Sequence, residues 1–470
     1  MSNNSNNRLG IVVGGGPAPG INAVIGAATI QAINCGFRVH GFYDGFKWLA
    51  SDKFDAPEHA TRLEIDRVAR IHFDGGSILR TSRTNLIDAE ALKSSANVKP
   101  DPVKVQRVVA HLRELGINCL LTIGGDDTAL SARFINDAAG ETIRVVHVPK
   151  TIDNDVPLPF NIPTFGFATA RFVGNTVVKN LMQDSRTTGR WYFVSCMGRS
   201  AGWLSLSVGV SSGATITLIP EEFPDHTSVA TIADVLEGAM LKRRAMGRND
   251  GVAIIAEGLA YKLGDKAELE RLLGKEVPMD AAGHPRLAEV PLHNWLKQEL
   301  ERRFTARGDK LSIVTHQIGY ELRSADPTPG DMEYCRNLGY HSIRLFMGAE
   351  QYPGGVIVTM VNGNLYPIKL SDVIDPTTNR IRTRLVDTRS DIYEVARAYM
   401  IRLEKRDIEN PDMLARLASE AKMTPQQFAE RFARAATRLH DILPNVGAAG
   451  APPSEKGASV AVASKHPHSG

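Results

Sequence analysis

A chain of 470 residues, 43% hydrophobic and 23% charged, is long enough for two or more lobes and has the make-up of an ordinary globular enzyme. Its net charge of +3, from 55 basic and 52 acidic residues, implies no polyelectrolyte partner such as nucleic acid. No apolar run reaches the roughly 18 residues of a membrane span, the start Met1–Asn7 is polar, and Cys35, Cys119, Cys196 and Cys335 show no CxxC spacing. The expectation is a cytoplasmic protein with reduced thiols, not held in a membrane.

The first apolar run, Leu9–Val13, leads into Gly14-Gly15-Gly16-Pro17-Ala18-Pro19-Gly20 and then into Ile21–Ala28, a stretch of small residues suited to a helix packed closely on a sheet. Strand, glycine-rich loop and helix form an arrangement that binds phosphate. The spacing is neither that of a Walker A loop nor GxGxxG, and a structural βα turn reads the same way. Arg38–Phe42 is a second strand. Gly75-Gly76-Ser77 opens a loop with Arg80, Ser82, Arg83 and Thr84, which suits phosphate oxygens or plain solvent. Val103–Leu115 has helical periodicity and ends at Gly116, a C-terminal cap.

Cys119–Ile123 reads as a buried strand opening into Gly124-Gly125-Asp126-Asp127-Thr128, with a helix expected from Thr128. Two adjacent carboxylates repel each other unless a cation offsets them, and Mg²⁺ takes oxygen ligands and phosphates together. A further strand, Ile143–Val148, ends in Pro149-Lys150-Thr151-Ile152-Asp153-Asn154-Asp155. That is the end of an open α/β sheet at which ligands bind. Arg190–Met197 leads into Gly198-Arg199-Ser200, Ala214–Ile219 stops at Pro220-Glu221-Glu222, and Val252–Ala256 stops at Glu257-Gly258. Leu311–Thr315 precedes a run ending in Gly319-Tyr320-Glu321-Leu322-Arg323. Strands alternating with helical stretches give the fold class: α/β, with mostly parallel, doubly wound sheets. Asp391–Leu443 is helical and charged, with a fresh start at Thr424-Pro425-Gln426-Gln427, and beyond Gly447 no apolar periodicity survives.

In co-linear order, the loops beginning at Gly15, Gly124, Pro149, Met197, Glu257 and Gly319, with Pro327-Thr328 and Leu338-Gly339, resemble one family: the phosphofructokinases. A Gly-Gly-Asp loop is also similar to those of NAD and lipid kinases, which lack a downstream Thr-Ile-Asp-Asn-Asp. The resemblance implies two Rossmann-like domains. Residues 8–164 with about 324–390 would bind the phosphoryl donor and Mg²⁺, and 165–323 would bind fructose 6-phosphate. A helical extension over 391–446 and a disordered tail over 447–470 would follow.

Site residues carry over position by position. Asp126 is the implied Mg²⁺ ligand, and Gly15, Arg83 and Gly125 the implied donor-binding residues. Asp153 matches the base that takes the proton of the sugar's 1-hydroxyl. Thr151, Asp153, Arg190, Met197, Gly198, Arg199, Glu257, Tyr320 and Arg323 match the sugar-phosphate site, and Asp155 would help place phosphate, metal or base. Bacterial ATP-using members have glycine at the positions of Asp127 and Lys150; members with both charged residues use pyrophosphate. An aspartate there blocks an α-phosphate by volume and like charge. Some ATP-using members carry the lysine alone, so Asp127 is the discriminating residue. The implied reaction is reversible phosphoryl transfer from pyrophosphate to fructose 6-phosphate; the rivals are an ATP-dependent enzyme and a non-catalytic regulatory subunit. One departure stands out: Val314 replaces an arginine that reaches across a subunit contact in bacterial ATP enzymes, although Arg190 matches the other such arginine. A homodimer or homotetramer is the implied assembly.

Overall fold

The computed structural model describes residues 7–88, 98–264, 266–278, 286–348 and 355–438. The strands are β1 (Arg8–Val13), β2 (Arg38–Phe42), β3 (Ala60–Leu63), β4 (Cys119–Gly124), β5 (Arg144–Pro149), β6 (Trp191–Cys196), β7 (Ile216–Leu218), β8 (Gly251–Ala256) and β9 (Ile313–Ile318). Four two-residue strands follow: β10 (Val356–Ile357), β11 (Met360–Val361), β12 (Asn364–Leu365) and β13 (Ile368–Lys369). The longer helices are α1 (Ile21–Asn34), α2 (Pro102–Glu114), α3 (Asp126–Ala139), α4 (Phe167–Thr188), α5 (Trp203–Ser212) and α6 (Val229–Ala245). They continue with α7 (Leu292–Ala306), α8 (Pro329–Met347), α9 (Asp391–Ala398), α10 (Pro411–Ala421) and α11 (Pro425–Ala436).

Two parallel sheets result. The first has the order β13-β10-β5-β4-β1-β2-β3, and the second β7-β8-β6-β9; β11 and β12 pair separately. Only the edge strands β3 and β13 run antiparallel in the first sheet. Parallel sheets need both faces covered, so their strands are continuous apolar runs. All six residues of β4, β6 and β8 are buried. On the first sheet, α1 and α8 supply Val24, Ile25, Leu338 and Phe346 to one face. On the other, α2 and α3 supply Val108, Leu112, Leu130 and Ile135. Each fully buried side chain of this kind contributes about 1.5–3 kcal/mol relative to exposure.

The second sheet is sandwiched between α4 and α5 on one side and α6 and α7 on the other. Here the C-terminal helices join: Leu417, Phe428 and Phe432 belong to the same core as Leu236 and Leu300. Thr424 and Gln427 cap α11 reciprocally, Thr424 Oγ1 accepting from Gln427 N at 3.2 Å and Gln427 Oε1 from Thr424 N at 2.9 Å. Fully buried Glu237 on α6 pairs with Arg303 at 2.8 Å, Arg431 at 2.8 Å and Arg307. Among the described residues no helix is long and apolar enough to cross a membrane. All four cysteines are unpaired, three of them buried.

Some boundaries shift. The helix after β4 starts at Asp126 rather than Thr128, because carboxylates are favoured in a first helical turn. The strand expected over 214–219 is confined to Ile216–Leu218, and the one expected from Leu311 starts at Ile313 and runs to Ile318. Residues from 439 onward, including the expected tail, lie outside the described residues.

Register makes the site. Val13 pairs with Ile123 and Gly124 with Pro149, so β1, β4 and β5 end nearly level. Cys196 pairs with both Ala256 and Ile318, so β6, β8 and β9 do the same in the second sheet. The two sets of loops face each other across one cleft.

Candidate active site

A narrow cavity of about 90 Å³ lies over the first sheet, lined by Gly15, Arg83, Gly125, Asp126, Asp127, Lys150, Thr151, Asp153, Asp155, Arg199 and Arg323. It opens beside a wider cavity of about 530 Å³, lined among others by Ser200, Glu221, Tyr261, Lys262, Arg380 and Leu385. Asp126, Asp127, Asp155 and Arg199 line both. The expected residues of two sheets, more than 300 positions apart in the chain from Gly15 to Arg323, thus converge.

Gly15 serves the cavity differently from what the sequence implied. Its N–H donates to Ser82 O at 2.8 Å and so is engaged within the protein. Its value is conformational: φ is +82°, and a β-carbon there would sit 3.2 Å from Lys150 Nζ. Lys150 is 4% exposed, and its Nζ donates to Gly16 O. Burial, then the nearby Arg323, pushes this ammonium down to about 8. Gly124 answers another need, since a β-carbon there would lie 2.3 Å from Thr128 Cβ. Gly125 is the residue before α3, so the helix starts at the cavity wall, where a macrodipole favours anions.

The two acidic residues that open α3 find their offset inside the protein. Arg199 Nη1 donates to Asp126 Oδ1 at 3.1 Å and Oδ2 at 3.2 Å, which holds the guanidinium well above its usual range. Arg199 itself is left-handed, φ 52°, a conformation few non-glycine residues adopt. Glu257 fixes that turn: its Oε1 accepts from Gly198 N at 3.1 Å and Arg199 N at 3.0 Å. Of the two oxygens that Glu257 brings to the expected sugar-phosphate site, one is spent on backbone. Burial pushes its carboxyl up.

Asp153 is 6% exposed, and its Oδ1 has no hydrogen-bond partner. Its backbone N–H donates to Thr151 Oγ1 at 3.0 Å. Burial raises its carboxyl, only partly opposed by Arg199 and Arg323. Burial and the neighbouring Asp153 and Asp126 push Asp155 up to about 7. A carboxylate with one idle oxygen and a raised pKa is suited to accept a proton near neutrality.

Three expected residues sit elsewhere. Met197 is buried beneath Gly319, whose added β-carbon would meet Met197 Cε at 2.9 Å, so its side chain braces the loop. Tyr320 is 60% exposed, its ring 5.2 Å from the Arg323 guanidinium that reaches toward Gly16. Arg190 precedes β6 and Gly198 follows it, so the whole six-residue strand, about 20 Å at ~3.3 Å per residue, lies between them. One chain does not bring it to the cleft. Conversely, Arg384 and Glu221 border the site without having been singled out; a lone arginine carries no motif to find it by.

The fold and the cleft define a class: an α/β protein with a cation-lined cleft between two parallel sheets, suited to anions, and a buried carboxylate within it. Residues 8–346 match the family model described as phosphofructokinase, and the chain belongs to that family. It is 52% identical over 426 residues to the pyrophosphate–fructose 6-phosphate 1-phosphotransferase of Thermotoga maritima, covering 90% of this chain and 98% of that one. To the protein of the same name from Naegleria fowleri it is 42% identical over 432 residues, 90% of this chain and 94% of that one. A pyrophosphate-dependent phosphofructokinase structure from Marinobacter aquaeolei shares the fold, with a TM-score of 0.59 at 16% identity, covering 84% of this chain and 91% of that one.

Proposed function

We propose that the chain catalyses reversible phosphoryl transfer from pyrophosphate to the 1-hydroxyl of fructose 6-phosphate, giving fructose 1,6-bisphosphate and phosphate. One observation carries the choice of donor: Asp127 stands where the narrow cavity meets the wide one. A two-phosphate donor ends before that point. A nucleoside triphosphate has to pass its third phosphate and ribose by a carboxylate, which repels it by charge and volume.

In this reading the ammonium of Lys150 and the guanidinium of Arg83 bind the donor, and the start of α3 faces it. Arg323, beside Gly16, and Arg199 hold phosphate by forked donors. Asp153 accepts the proton of the 1-hydroxyl, and Thr151 holds the backbone of Asp153 in place. Gly198 and Glu257 keep Arg199 turned toward the cleft.

Among the described residues no three His, Cys, Asp or Glu side chains form a metal cage. That fits Mg²⁺, which binds through one or two carboxylates plus substrate phosphates rather than a protein cage. Asp126 would hold it; when bound, the ion neutralises charge developing on the transferred phosphoryl group. Asp126 and Arg199, which pair with each other at 3.1 Å, would part to hold the ion and a phosphate respectively. Arg190 is assigned to the sugar-phosphate site of a second copy, in a homodimer or homotetramer.

The test is formation of fructose 1,6-bisphosphate by the purified chain with fructose 6-phosphate and Mg²⁺, comparing pyrophosphate with ATP. Pyrophosphate is expected to support turnover, and phosphate to reverse it. Turnover with ATP alone overturns the donor assignment, and no turnover with either overturns the activity. An active monomer in sedimentation removes the role of Arg190.

A further inference from the structure

The loop carrying Asp153 is held from a distance. Arg384, in the stretch between β13 and α9, lies 230 positions from Asn154 and is 8% exposed. Its Nε donates to Asn154 O at 3.0 Å, its Nη1 to Ile162 O at 2.9 Å, and its Nη2 to Asn154 Oδ1. The backbone adds a fourth bond, Arg384 N to Asp155 O at 2.7 Å. Asn154 Oδ1 also accepts from Thr164 N at 3.1 Å, and Asn154 is left-handed, φ 58°. The residue between the two carboxylates is therefore clamped in an uncommon conformation by one guanidinium.

The other side of Arg384 is tied to the second lobe. Trp203 Nε1, in the first turn of α5, donates to Arg384 O at 3.0 Å, and the guanidinium lies 5.9 Å from the Trp203 ring centre. Two residues on, Val386 N donates to Glu221 Oε1 at 2.9 Å, which also accepts from Gly202 N at 2.9 Å. All three side-chain bonds go to uncharged oxygens, and burial pushes the guanidinium down to about 10. A buried cation hydrogen-bonded only to neutral groups, its charge offset in part by the nearby Asp155, is an expensive way to hold a loop unless the loop's position matters.

We propose that Arg384 is a positioning residue for phosphoryl transfer: it fixes the Thr151–Asp155 loop so that Asp153 meets the acceptor hydroxyl, and it links that loop to the second lobe through Trp203 and Glu221. The inference rests on the reading given under Proposed function. Arg384 does not touch the reacting atoms in this arrangement. Its three donors diverge in one plane, a geometry that lysine's single ammonium does not reproduce. A loop displaced by about 1 Å loses on the order of 10²-fold in rate while its contribution to binding changes little.

The experiment compares the wild type with Arg384→Ala, Arg384→Lys, Asn154→Gly and the Ala–Gly double variant, using fructose 6-phosphate, pyrophosphate and Mg²⁺. Both Arg384 variants are expected to lose about 10- to 100-fold in kcat, with KM for either substrate within about threefold. Millimolar guanidinium should restore part of the Arg384→Ala rate, and the double variant should be no slower than Arg384→Ala by more than about twofold, since the Asn154 Oδ1 bond lost in Asn154→Gly is one of the three already lost in Arg384→Ala. Arg382→Ala, two residues away and exposed, is the control with unchanged kcat. The inference is overturned if Arg384→Ala keeps its kcat within twofold, if KM rises as much as kcat falls, or if Arg384→Lys restores the rate. Should Arg384→Ala fail to fold, Asn154→Gly decides, because glycine accepts the left-handed backbone: a kcat loss of fivefold or more at unchanged melting temperature supports the clamp, and wild-type kcat overturns it. A wild type inactive with pyrophosphate overturns the functional reading instead.

Discussion

The two walls of the cleft are built in different ways. Over the first sheet, glycine-shaped backbone sets the floor of the narrow cavity, with Gly15 in a left-handed turn and Gly125 before α3, and charged side chains such as Lys150, Asp126 and Arg83 line it. Over the second sheet, the wall is made by side chains that hold one another: Glu257 on the amides of Gly198 and Arg199, and Arg199 across the cleft on Asp126. A small pocket on a fixed backbone floor, with cations in its walls, suits a small anion. A wall of arginines and carboxylates can exchange partners, and suits a larger, charged substrate.

The largest effect expected from breaking this arrangement is at Asp153, which lies between the walls. Asp153→Asn should lower kcat by roughly 10²–10⁴-fold, the usual worth of a positioned base, with a small change in KM for the sugar; steady-state kinetics checks both numbers. Next comes the support of the second wall. Replacing Glu237 by Ala removes the buried carboxylate shared by Arg307, Arg431 and Arg303, of which Arg303 keeps Asp234 and Glu299, and should destabilise the protein by about 3 kcal/mol. Denaturant unfolding measures it, and kcat at low temperature should persist.

The narrow pocket makes a prediction about pH. Lys150, pushed down to about 8, keeps its charge below that pH and loses it above, so kcat/KM for pyrophosphate should fall as pH rises past about 8. Asp153 has to be ionised to accept a proton and is raised, so activity should climb with pH on the acid limb, alongside Asp155 at about 7. A Lys150→Arg variant stays charged and should lose the alkaline limb whatever its kcat; a pH–rate profile with that limb intact assigns it elsewhere. The smallest effect is at the periphery of the second lobe, where Thr424→Ala removes one half of the α11 cap and should cost about 1 kcal/mol in thermal unfolding.

The same contrast explains what the sequence revealed. Buried parallel strands are unbroken apolar runs, so β1, β4, β5, β6 and β8 and their loaded loops could be read directly, and with them Lys150, Asp153 and the Gly-Gly-Asp-Asp turn. Side-chain geometry was not legible. Nothing local ties Arg199 to Asp126, 73 positions away, or Arg384 to Asn154, 230 away. Arg190 was expected to serve a neighbouring copy, and a six-residue strand does separate it from Gly198 and Arg199 within one chain. A glycine motif also did not distinguish an N–H offered to an anion from one bonded internally, as the N–H of Gly15 is to Ser82.

The central claim is that Asp127, at the mouth of the narrow cavity, reserves it for pyrophosphate. The most direct measurement is the ratio of kcat/KM for pyrophosphate to that for ATP, taken on the wild type and on Asp127→Gly side by side. A like-charge contact at that position costs several kcal/mol, so the wild-type ratio should exceed about 100, at 1.4 kcal/mol per tenfold. In Asp127→Gly the ratio should fall by about tenfold or more, with ATP use rising and pyrophosphate use falling. A wild type that prefers ATP, or a ratio that the substitution leaves unchanged, would contradict the account.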